Sequence, residues 1–145
     1  MQTIFSTILS AVDVSGFMVA ENFKLKNGPQ SREFKLGLLS QSQSGIIVRL
    51  DKRFVKEPML DLMEDLRFFA RARPDVDIVW GIATSLYEWQ LVRYSKQLEV
   101  RQEECFELSK VYRLYWKEKQ YNYADLDMKY LIAVVRGLLN SLDNN

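Results

Sequence analysis

The sequence predicts an α/β domain: a mixed central β-sheet with helices on both sides. Three features carry that expectation. Three strand-like runs follow one another between residues 17 and 54, separated by short polar turns, which implies an antiparallel meander. An amphipathic helix over 57–73 comes next, and two further strand-like runs share "DIVWGIATSLYEWQLVRYSK" at 77–96. A strand, a helix and another strand at that spacing allow a right-handed crossover between parallel strands, so the sheet mixes both directions.

Each element has its own signal. Ile4, Phe5, Ile8, Leu9 and Val12 recur at helical spacing, giving an opening amphipathic helix that stops near Ser15-Gly16. Residues 17–26 alternate and end at Asn27-Gly28-Pro29, a turn signal. "REFKLGLLS" (32–40) and "GIIVRLDKRF" (45–54) are the next strands, with "QSQS" between them.

In the helix 57–73, Pro58 suits the first turn, the acids come early, and Arg67, Arg71 and Arg73 come late, where they complement the helix dipole. Met59, Leu62, Met63, Leu66, Phe69 and Ala70 form its apolar face, and Pro74-Asp75 ends it. In the following pair of strands, Trp80 lies inside an apolar run and is expected in the core. Trp89, Tyr87 and Tyr94 alternate with Glu88 and Arg93, and packing across the strands is the expectation for them. The region 101–116 suits two readings: "FELSKVYRLYW" alternates at first, while "QEECFELSKVY" fits a helix, and helix is the reading adopted. From Asp125 a closing helix carries Leu126, Tyr130, Val134 and Leu138 on one side, with Gly137 lowering its propensity.

Composition bounds the chemistry. The 145 residues fit a single domain, and 48% apolar with 27% charged residues is the balance of a globular protein. Twenty basic residues against nineteen acidic ones leave a net charge of +1, which does not announce a nucleic-acid binder. One cysteine, Cys105, excludes an internal disulfide and suits a reducing compartment. With no histidine, a histidine-dependent triad, a His-ligated zinc and a histidine base are excluded, leaving carboxylates and lysine for acid–base work. The opening apolar stretch lacks a positive start and is broken by Asp13 before a membrane-spanning length, so a soluble, intracellular protein without a membrane partner is expected.

Gly81, Thr84 and Trp89, in "GIATSLYEW", reproduce a "GxxTxxxxW" pattern. Together with the element order and the closing "DLDMKYLIAVVRGLL", they give the chain its likeness over roughly residues 15–140. It resembles the PD-(D/E)XK nuclease superfamily, the restriction-endonuclease-like fold, in the branch found at the amino end of type I restriction enzyme R subunits and in Crinkler-type effectors. The resemblance implies a central hairpin bearing catalytic acids, a helix crossing over, and a strand ending in that pattern which runs into another strand. Active members hold one or two Mg²⁺ ions with an Asp at the end of one strand and an acid and a Lys spaced i, i+2 on the next. Side chains at i and i+2 of a strand share a face, so the acid can bind metal while the lysine orients water beside it.

Laid on this sequence, the first Asp falls near Lys35, Leu36 or Gly37, and the acid and lysine fall on Arg49 and Asp51. A shift by two gives Asp51 with Arg53, and Glu21 corresponds to the early acid of active members. What the resemblance implies is therefore a degenerate member that binds without catalysing and needs no cofactor. The alternative is a divergent Mg²⁺-dependent nuclease with Glu21 and Asp51 as metal ligands and Arg53 beside them.

Two stretches are candidates for binding. Arg49, Lys52 and Arg53, with Lys56, Arg71 and Arg73 near them in sequence, form a possible phosphate patch around Asp51. Further on, Tyr112, Tyr115, Trp116, Tyr121 and Tyr123 interleave with Lys110, Arg113, Lys117 and Lys119. Aromatic rings among cations can stack bases or can build a protein interface. The near-zero net charge favours a protein partner, with self-association the simplest case.

Overall fold

The computed structural model describes residues 16–40, 45–50, 56–85, 88–113, 116–117, 120–121 and 132–138. β1 (Phe17–Asn27) and β2 (Gln30–Ser40) pair antiparallel from Phe17 opposite Ser40 to Asn27 opposite Gln30. Gly28, at φ 61°, supplies the left-handed backbone that so short a connection needs. β3 (Gly45–Leu50) joins β2 antiparallel, with Leu36 opposite Val48 and Leu39 opposite Gly45. Gly45 cannot carry a side chain there: a Cβ would lie 1.8 Å from the Leu38 carbonyl oxygen.

α1 (Lys56–Ala72) then crosses the sheet, and β4 (Ile78–Thr84) runs parallel to β3, from Ile46 opposite Trp80 to Leu50 opposite Thr84. β5 (Glu88–Ser95), the short helix α2 (Lys96–Val100) and β6 (Phe106–Arg113) complete a six-stranded sheet in sequence order. β7 (Trp116–Lys117) and β8 (Gln120–Tyr121) make a separate small pair, and residues 132–138 form a helix, α3. The mixed α/β architecture is therefore as the sequence predicts. Among the described residues, no helix is long and apolar enough to cross a membrane.

Both faces of the sheet are covered. On one, α1 buries Met59, Leu62, Leu66, Phe69 and Ala70 against Phe34, Ile47, Val79, Val92 and Tyr94. On the other, Val135 of α3 packs with Leu36, Ile46, Val48, Ile82, Trp89 and Leu91. Leu36 and Phe34, two residues apart on one strand, belong to opposite faces. The switch lies beside Asn22, which takes a left-handed φ of 50° between the pairs Glu21–Leu36 and Phe23–Phe34.

Four expectations need correction or completion. The stretch 101–116 holds strand β6 in place of a helix, and the reason is a bulge. Val92 pairs with Leu108 but Gln90 with Val111, so one extra residue shifts the register and breaks the period of two. Trp80 is only partly buried, whereas Trp89 is 1% exposed and lies in the core. In α3 the inward residues are Ile132, Val135 and Leu138, while Val134 faces out. The opening helix and the first part of the closing one lie outside the described residues.

Candidate functional site

The hairpin β2–β3 and helix α1 meet at one acid. Asp65 sits in the apolar stripe of α1 between Leu62 and Leu66 and is fully buried. Arg49, from β3, donates through Nε to its Oδ2 at 2.5 Å and through Nη2 to its Oδ1 at 2.9 Å. Arg32, from β2, donates through Nε to Oδ1 at 2.6 Å and through Nη2 to the Asp61 carbonyl at 3.4 Å. Arg32 lies near α1 because Phe34, two residues on, packs there: it stacks on Phe23 at 5.2 Å and meets Phe69 edge-on at 6.2 Å. A buried carboxylate is tolerable only when paired and hydrogen-bonded, and two guanidinium groups do both. The bond to Asp65, against the opposing effect of burial, raises the Arg49 pKa above its ordinary value.

The register tests which candidates come together. Gly37 lies opposite Ile47 and Leu36 opposite Val48, so residues 35–37 stand across from the segment that ends in Arg49. No carboxylate comes from 35–37, and Arg49 itself is committed to Asp65. Glu21 pairs with Leu36 across β1–β2 and is exposed. Asp51, Lys52 and Arg53 lie outside the described residues, as do Tyr115, Lys119, and the side chains of Lys56, Trp116 and Lys117. Among the described residues, no three Cys, Asp or Glu side chains come close enough together to hold a metal ion. Arg71 lies six residues beyond Asp65, about 9 Å along the helix, and Arg73 stacks on Phe69 at 5.4 Å, so neither joins Arg49.

The late aromatic stretch is also divided. Tyr112 is 8% exposed, opposite Trp89 in the core, with the Lys110 ammonium 4.9 Å from its ring centroid. Arg113 is exposed and reaches Glu88 at 3.3 Å. Gly81, Thr84 and Trp89 each have a packing role. A Cβ on Gly81 would lie 2.9 Å from Leu62 Cδ1, so its absence lets α1 approach β4. Thr84 Oγ1 donates to the Glu88 carbonyl at 2.9 Å, closing the β4–β5 turn, and Trp89 fills the opposite face.

A second polar cluster ties α2 to the rest. Ser95 caps α2, its hydroxyl accepting from Leu98 N at 3.3 Å. Lys96 Nζ donates to the carbonyls of Ala70 and Arg73 at 3.1 and 3.3 Å, satisfying the end of α1. Glu99 accepts from the Tyr94 hydroxyl and, at 2.8 Å, from Arg67 Nε. Burial and then the bond to Glu99 push the Tyr94 phenol pKa up. The Tyr94 bond holds the Glu99 carboxyl below its ordinary value, burial opposing and Arg67 assisting. Arg32, Asp65 and Glu99 were not singled out from the sequence. An acid between two leucines of an apolar stripe was the available signal for Asp65.

No family model matches the chain, and neither a curated protein nor a solved structure matches it at a significant level.

Proposed function

We propose that the chain is a non-catalytic binding and assembly module on a restriction-endonuclease-like fold, engaging a protein partner in preference to nucleic acid. The observation that carries this reading is Arg49. The resemblance gives its position to a metal-binding acid, and a guanidinium hydrogen-bonded to Asp65 opposes a metal cation there. The order hairpin, crossover helix, parallel strand and tight turn, with Gly81, Thr84 and Trp89 in that pattern, supports the fold assignment.

For the partner, two features count against base stacking: the balanced net charge and the burial of Tyr112 in the core. Leu108 of β6 remains 48% exposed, an apolar contact for a protein surface. Second copies of the chain are the simplest partner. Sedimentation together with an oligonucleotide titration at two salt concentrations tests the preference. Self-association that changes little with salt is expected, as for contacts dominated by apolar area. A monomer that binds oligonucleotide with a log–log salt slope of about −0.7 per contacted phosphate, lost on replacing Lys117 and Lys119, reverses it.

A further inference from the structure

We infer that Arg32 and Arg49 form a receptor for a small dianionic oxyanion, a phosphate group, with Asp65 as its support. The inference does not depend on which macromolecule the chain assembles with. The cluster is layered: Asp65 lies beneath with 1% of its side chain exposed, while Arg32 and Arg49 stand above it with 31% and 18%. One buried carboxylate thus fixes two planar donors from neighbouring strands, and both side chains are more exposed than the acid that holds them. Groups locked by a supporting shell in this way are pre-arranged for a ligand. Guanidinium forks match the oxygens of a phosphate bidentately, and partial burial strengthens each contact relative to water.

Asp65 alone does not neutralise two cations. Among the described residues, the other acid acting on Arg49 is Asp61, one helical turn earlier and exposed. Its carboxylate competes with an incoming anion, so removing its charge should favour binding.

The test is calorimetric titration of the full chain near neutral pH with inorganic phosphate and, in a separate arm, phosphoserine, against chloride at matched ionic strength. Saturable one-to-one binding in either phosphate arm is expected, and the tighter arm identifies a free or an esterified phosphate as the ligand. Arg32→Lys keeps the charge but loses the fork, and should weaken binding about tenfold or more; Asp61→Asn should strengthen it. If the cluster only ties α1 to the hairpin, phosphate adds nothing beyond chloride. Absence of saturable binding in both arms, or binding unchanged in Arg32→Lys, overturns the assignment.

Discussion

Asp65 and the two tryptophans mark where single residues were legible and where they were not. An acid inside an apolar helix stripe signals a buried partner, yet Arg32 and Arg49 lie 33 and 16 positions away, and only the sheet register joins them. The tryptophans followed the same rule in reverse. Trp80 stands in a continuous apolar run, which reads as core, but its neighbour across the ladder is Arg93, whose guanidinium lies 6.0 Å from the ring centroid. Trp89, flanked by Glu88 and Gln90, alternates towards the face that Val135 of α3 covers, and it packs there as its spacing predicts. Trp89→Ala should therefore cost about 3–5 kcal/mol in urea denaturation, and Trp80→Ala clearly less. Equal losses, or a larger one at Trp80, would show that Trp80 carries as much of this shared core as Trp89 and contradict its partial burial.

Among the elements, β1 to β5 and α1 were readable because turn signals separate short apolar or alternating runs and α1 keeps one helical apolar stripe. β6 was not, because its bulge places Phe106 and Leu108 in one phase and Val111 in the next. The bulge is held internally: Ser109 Oγ accepts from Leu91 N at 2.9 Å, and Gln90 Nε2 donates to the Ser109 carbonyl at 2.8 Å. α2 is too short for any periodicity to reveal, and its place depends on Glu99. Because the folded carboxyl is held below its ordinary value, the folded state binds fewer protons than the unfolded chain in the window between the two. Its contribution is present above the ordinary glutamate range and is lost as pH falls through the lowered value. Glu99→Gln should accordingly flatten the acid side of the stability–pH curve, measured by thermal unfolding. An unchanged acid slope in the variant would mean that Glu99 is not held by Tyr94 and Arg67.

At the scale of the molecule, the mixed sheet follows from one crossover, and the sequence order of the strands leaves β1 and β6 as its outer members. Both carry features that discourage strand addition: Asn22 in left-handed backbone with Lys24 and Lys26 on β1, and the bulge with Lys110 and Arg113 on β6. The proposed assembly therefore rests on side-chain surfaces and not on strand pairing. The central claim remains the absence of catalysis, since Arg49, held by Asp65 of α1, stands in the hairpin where the resemblance would put a metal-binding acid. Incubation of the purified chain with DNA and RNA in Mg²⁺ or Mn²⁺ tests it most directly. No cleavage above a metal-free control is the predicted result; metal-dependent cleavage that disappears in both Glu21→Ala and Asp51→Ala would contradict it.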